Sequence, residues 1–160
     1  VAASGAQRAL VVVDYMQKIP VQREHIPPGM EHITYLANGL KEIAMTLELR
    51  ILALAAADRR GLQAARMRFH DLEGSAAIQY ESDVGAVLNS KYEIVSREHM
   101  VYNPAQAQAM RNWVVLSIEK NRAGVNAVDV EFELDAAHFH LLPVGRFVRE
   151  RLIDDKVVLA

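Results

Sequence analysis

The sequence predicts an α/β fold in which a mainly parallel sheet is flanked by helices and followed by an antiparallel C-terminal hairpin. Three observations predict it. A β-branched apolar run, Ala9-Leu10-Val11-Val12-Val13, ends in Asp14. A segment of helical period leads from it to a second apolar run, Ile51-Leu52-Ala53-Leu54. Nearer the C-terminus, Val128-Asp129-Val130-Glu131-Phe132-Glu133-Leu134-Asp135 alternates strictly between apolar and acidic.

The first run is continuous rather than alternating, which is how a parallel strand buried on both faces reads. Its carboxylate then sits at the strand's C-terminal end. After a loop marked by Pro20, Pro27, Pro28 and Gly29, apolar residues recur at Ile33, Leu36, Leu40, Ile43, Ala44 and Leu47, with Glu31, Asn38, Lys41 and Glu48 between them. This spacing predicts an amphipathic helix that crosses over, right-handed, to the second parallel strand. A polar stretch from Asp58 to Gly74, carrying Arg59, Arg60, Arg66 and Arg68, reads as a mobile loop.

Ser75 to Glu81 is expected to form a short helix, and Asp83 to Leu88 a third buried strand. Tyr92 to Tyr102 is ambiguous. Asn103 and Pro104 supply an N-cap and a first-turn proline for a helix over Ala105 to Met110, and Trp113 to Ile118 reads as the fourth strand. The alternation over Val128 to Asp135 predicts an antiparallel strand with its apolar face on a core and its acidic face in water, paired with Phe139, Leu141 and Leu142. The tail from Arg146 to Ala160 is charged without a clear period. One domain over residues 1–160, with no internal repeat, is the expectation.

Composition excludes several classes. The chain has 160 residues, 51% hydrophobic and 24% charged, with no cysteine and a net charge of −2. Disulfide scaffolds, thiolate zinc sites and cysteine nucleophiles are out. So is compositional disorder, because a chain this apolar can offset its ordering entropy by burial. No apolar run approaches the ~20 residues that span a bilayer, and the expectation is a soluble cytoplasmic protein. Near-neutral charge leaves room for local arginines that hold nucleic acid.

Several residues carry candidate chemistry. In open α/β sheets ligands gather at the carboxyl ends of strands, where Asp14 could serve a magnesium ion directly or through water, or simply cap a turn. Lys120 and Arg122, one residue apart just past a strand and ahead of Gly124, project to one side of an extended backbone and could neutralise a phosphate, or end a solvated hairpin. The arginines between Arg59 and Arg68 could follow a nucleic-acid backbone. His138 and His140 share a strand face but have no third metal ligand at supporting spacing. Ser75 and Ser117 lack a histidine and acid pattern, so a serine hydrolase is not supported. The phosphate loop G-x-x-x-x-G-K-[ST] is absent, since none of the eight glycines precedes a lysine.

These motifs also form an ordered set. Val11-Val12-Val13-Asp14-Tyr15-Met16-Gln17 resembles the Walker B motif of the DnaB-type replicative helicases, whose strand ends in Asp-Tyr-Leu-Gln. Asp71-Leu72-Glu73-Gly74-Ser75, followed by Ile78, Glu81 and Asp83, is similar to the family's stretch where a loop touches single-stranded DNA. Ile118-Glu119-Lys120-Asn121-Arg122-Ala123-Gly124 is similar to its Lys-x-Arg-x-Gly segment. The resemblance covers nearly the whole chain.

It implies a RecA-like fold and an ATP-dependent DNA helicase, a hexameric ring in the parent protein, with ATP and Mg²⁺ as cofactors and single-stranded DNA as partner. Asp14 would serve the metal and water shell of ATP. Gln17 and Arg59 would help bind the nucleotide, and Lys120 and Arg122 would act in trans on the γ-phosphate. The DNA-facing loop would run from Gly61 to Gly74, with Gly74 in the motif and Arg66 and Arg68 chosen by charge for phosphate contacts. The family's Ser-Gln-Leu-Asn-Arg appears as Ala55-Ala56-Ala57-Asp58-Arg59, so Ala56 replaces the glutamine that senses the γ-phosphate.

The family's phosphate loop and catalytic glutamate precede the Walker B strand, and these residues open just before it. The expectation is therefore a partial RecA-like domain with its P-loop part missing, inactive as an ATPase alone and prone to self-association through exposed strand edges. The alternatives are a non-catalytic RecA-like interaction module, or a recombinase-like or clock-like ATPase of the wider RecA family.

Overall fold

The computed structural model describes residues 5–59, 61–72, 74–95, 103–142, 146–150 and 152–153. The chain divides into two compact units, Val1–Asp58 with His70–Ser82, and Arg59–Phe69 with Asp83–Ala160. Each has its own sheet.

In the first unit, β1 (Leu10–Val13) and β2 (Arg50–Ala53) pair in parallel, with Val12 opposite Leu52, and α1 (His32–Thr46) makes the crossover. Both strands and the helix lie within a residue or two of their expected bounds. The expected burial does not hold. Leu10, Val12 and Leu52 are more than half exposed, because two strands and one crossover helix cannot cover both faces of a parallel sheet. Likewise only the first half of the apolar stripe on α1 is covered: Ile33, Leu36 and Ala37 are buried, whereas Ile43 and Leu47 are exposed.

The buried half of α1 packs on α2 (Ser75–Glu81), which contributes Ile78 to the same core. Gly74 precedes α2 in the left-handed conformation, φ 71°, and a Cβ built there would lie 2.3 Å from Ile33 Cγ2. Both the backbone angle and the close approach of the helices require glycine. An isolated bridge between Ala57 and Leu72 and a hydrogen bond from Asp58 N to Asp71 O (2.9 Å) tie down the chain between β2 and α2.

The second unit holds β3 (Val84–Ser90), β4 (Trp113–Asn121), β5 (Val128–Asp135), β6 (His140–Leu141) and β7 (Arg146–Phe147). They run in the order β3-β4-β5-β6, with β7 also on β5, and every pairing is antiparallel. The fold is therefore mixed α/β, and the mainly parallel sheet expected from the sequence is corrected: among the described residues only β1 and β2 are parallel. The reason lies in the connection. From Ser90 the chain enters α3 (Lys91–Ile94), later forms α4 (Pro104–Ala109), and comes back to the same end of the sheet, where Ser90 pairs with Val114. Such a return reverses strand direction. Asn103 caps α4 as expected, its side-chain oxygen accepting from Gln106 N at 3.1 Å. Most of the ambiguous stretch to Tyr102, residues 96–102, lies outside the described residues.

The hairpin of β5 with β6 stands where the sequence puts it, but the acidic face expected in water is covered at Glu131. Glu131 is 1% exposed, while its neighbours Val130 and Phe132 are only half-buried. The face shared by Val87, Val115, Ser117, Asp129 and Glu131 is the covered one, with Phe69 bonded to Glu119 and Lys91 to Glu131. Phe69 fits because β3 carries Gly85: a Cβ there would stand 2.4 Å from the ring.

Candidate functional site

Asp14 is exposed at the carboxyl end of β1, the position its sequence context calls for. Strand-like pairing continues around it. Leu54 N donates to Val13 O (2.9 Å) and Met16 N to Leu54 O (2.9 Å), so backbone bonds to the second strand's extension bracket the aspartate. The Asp14–Tyr15 peptide is cis. Gln17 adds a two-point clamp: its side-chain amide donates to Ala56 O (3.2 Å) and accepts from Ala56 N (3.1 Å). The amide thus holds the chain after β1 to the chain after β2, and both polar backbone groups of Ala56 are engaged by it.

From Met16 the chain folds as two short 3-10 turns, Met16–Lys18 and Arg23–His25, and borders a cleft of about 690 Å³. Its lining includes Gln17 with the basic side chains Lys18, Arg23 and His32, and the rigid Pro27-Pro28 pair. The Lys18 ammonium lies 6.0 Å from the Tyr15 ring centre.

Lys120 and Arg122 lie together at the far end of β4, Lys120 half-buried and Arg122 exposed. The turn that presents them is ordered by Asn121, whose side chain accepts from Ala123 N (3.2 Å) and donates to Val125 O (3.2 Å). Arg122 is fixed further by Asp83. Its backbone N donates to Asp83 O (2.9 Å), and its guanidinium approaches the Asp83 carboxylate at 3.2 Å.

Arg59 is exposed. Arg66 and Arg68 are engaged within their own unit. Arg66 is 5% exposed, donating to Asp129 Oδ1 (2.7 Å) and Ser117 Oγ (3.1 Å), while its buried Nε has no partner among the described residues. Arg68 Nη1 donates to Glu119 Oε1 at 3.0 Å, and the other oxygen of Glu119 accepts from Phe69 N at 2.9 Å. Asn89 holds the residue between them, its side chain exchanging two 2.9 Å hydrogen bonds with the Met67 backbone. The segment expected to be a mobile loop is thus stitched to the sheet over Arg66–Phe69. Gly74, also expected to face DNA, is used locally for the close packing of α2 on α1.

Sequence reasoning missed the carboxylates that receive these arginines, and a second buried charge group beside them. Lys91, 2% exposed, bonds Glu131 and lies 2.8 Å from Glu150 Oε2, and Glu131 also receives Arg146. The Lys91 ammonium and the Arg146 guanidinium stack on Trp113, at 5.8 and 4.7 Å from a ring centre. One signal was available. Ser117 and Glu119 are polar residues at alternate positions around Ile118 in a strand that is apolar from Trp113 to Leu116, which marks a face that needs polar partners.

His138 bonds the Asp135 carboxylate at 2.7 Å, and this contact holds Asp135 below the usual carboxylate range. Among the described residues no group of three or more His, Asp or Glu is placed to hold a metal ion. No helix of the described residues is long and apolar enough to cross a membrane.

Compared with protein families, residues 2–141 match the family described as DnaB-like helicase C terminal domain. No curated protein matches the chain.

Proposed function

The chain belongs to the DnaB-like helicase C-terminal domain family, and from that premise we propose that it is part of an ATP-dependent replicative helicase that couples hydrolysis to movement along single-stranded DNA. The observation that carries this reading is the exposed Asp14 carboxylate at the carboxyl end of a parallel strand, where open α/β sheets bind ligands. Lys120 and Arg122, displayed at one end of β4 by an ordered turn, are the cations for the γ-phosphate of ATP held by a neighbouring subunit in a ring. A positioned arginine of this kind acts by neutralising charge that develops in phosphoryl transfer. Arg59 is the exposed cation for the nucleotide, and Gln17 supports the Asp14 loop through Ala56.

The donor set does not make a complete Mg²⁺-ATP site. Asp14 offers one carboxylate, no cluster of three ligands stands among the described residues, and the 160 residues contain no phosphate loop. Magnesium in phosphoryl-transfer sites relies on one or two carboxylates together with water and substrate phosphates. Asp14 fits that single-ligand role; the cradle for the β- and γ-phosphates does not come from this chain. Alone, then, it binds single-stranded DNA and does not turn over ATP.

A second reading has one observation in its favour. Ala56 has no polar side chain where the family carries its sensing glutamine, and its backbone is committed to Gln17. On that reading the domain is a non-catalytic assembly module. Fluorescence anisotropy with labelled oligothymidylate, and phosphate release from Mg²⁺-ATP, separate the two. DNA binding that weakens steeply with salt supports the helicase reading. Absence of binding at low salt leaves the assembly module, and turnover abolished by Asp14→Ala would overturn the assignment of inactivity to the chain alone.

A further inference from the structure

Arg68 and Glu119 form an ion pair that is neither buried nor free: their side chains are 20% and 17% exposed. We propose that Arg68 is a two-position cation, docked on Glu119 when nucleic acid is absent and transferred to a backbone phosphate when single-stranded DNA binds, so that Glu119 restrains the affinity for DNA. This rests on the DNA-binding reading above and adds a regulatory contact to it.

The geometry distinguishes Arg68 from Arg66. Arg66 is nearly enclosed and bonds two residues of the sheet, so its release would open the core of the unit. The pair formed by Arg68 reaches solvent. A guanidinium meets a carboxylate and a phosphate through the same planar fork, and a phosphate arriving from water can replace the carboxylate without leaving the cation unpaired. Glu119 also has somewhere to go, since a partly exposed carboxylate released from its cation is rehydrated.

The exchange need not unfold the segment. Phe69 is anchored by its ring against Gly85, and Met67 by its pair of hydrogen bonds with Asn89, so residue 68 lies between two fixed points. What the exchange does disturb is the hydrogen bond from Phe69 N to the second oxygen of Glu119. That amide reports on the switch. Glu119 directly precedes Lys120 in β4, so its release is felt beside the cation assigned to the neighbouring subunit's nucleotide.

The test uses the full chain and labelled oligothymidylate. Glu119→Gln keeps the size of the side chain and an oxygen for Phe69 N while removing the negative charge paired with Arg68, and should tighten binding several-fold. Arg68→Gln should weaken binding and lower the salt slope by about one unit, as the loss of one phosphate contact requires. In the wild type, hydrogen exchange at Phe69 N should quicken on adding DNA. Thermal unfolding of each variant confirms that it is folded. Wild-type binding with both variants unchanged and Phe69 exchange unaltered would overturn the switch while leaving the DNA-binding reading intact. No binding by any folded variant would remove that reading, and the switch with it.

Discussion

Lys91 and Glu131 pair inside the second unit with neither residue more than 2% exposed. Two such charges are tolerated only because each has further partners, Glu150 for the lysine and Arg146 for the glutamate, and because Trp113 offers its ring to both cations. Breaking the pair from one side should be severe. Lys91→Met leaves the Glu131 carboxylate buried beside one half-exposed arginine, and is expected to cost about 3–5 kcal/mol. Replacing both, as Lys91→Met with Glu131→Leu, removes the uncompensated charge and should recover much of that loss. Urea unfolding of the two single variants and the double variant measures the coupling.

The same cluster makes part of the stability depend on pH. At Glu150 burial pushes the carboxyl up, but the hydrogen bond and charge of Lys91, with backbone hydrogen bonds, outweigh it and hold the carboxyl below its ordinary range. A folded pKa lower than the unfolded one contributes stability that is present above about 4.5 and disappears as pH falls through the folded value. Glu150→Gln should therefore lower stability near neutral pH and leave a flatter acid limb in the stability profile. An acid limb unchanged by the substitution would show that Glu150 carries none of the linkage.

These charges also mark where the sequence stops being legible. Elements set by local pattern could be read: β1 and β2 from their apolar runs, α1 from its helical period, α4 from Asn103 and Pro104, and β5 from its strict alternation. Which face of β5 is covered could not, because that depends on partners far away in the chain. Arg66 lies 63 residues from Asp129, and Lys91 lies 40 from Glu131. Strand direction in the second unit failed for the same reason, being decided by the return of the chain through α3 and α4. At the candidate site, the placement of Asp14 follows from its own strand, whereas the attachment of Arg68 to Glu119 depends on a register that no local pattern announces.

Gly74 is expected to tolerate no side chain. Alanine would bring Cβ to 2.3 Å from Ile33 Cγ2 in a left-handed backbone conformation that alanine disfavours. Gly74→Ala should destabilise the first unit by about 1–3 kcal/mol, in the range of core overpacking. Combining it with Ile33→Val trims the contact but cannot relieve the backbone, so recovery should be partial. Full recovery in thermal unfolding would mean that crowding alone, and not φ, selects glycine there.

The exposed face of the two-stranded parallel sheet should drive self-association of the chain. Val12 and Leu52 are register partners, 57% and 54% exposed, and so form a pair of apolar side chains side by side on one face. Burying the exposed half of each against a second surface would contribute about 1 kcal/mol per side chain, before the cost of association. The net charge of −2 gives little repulsion to oppose it. Val12→Lys or Leu52→Lys places a charge on that face and should shift the chain toward monomer, while changing folding stability by about 1 kcal/mol or less, as exposed substitutions do. Light scattering over a concentration series checks this, and a wild-type chain that stays monomeric throughout would show that the face does not pair with itself.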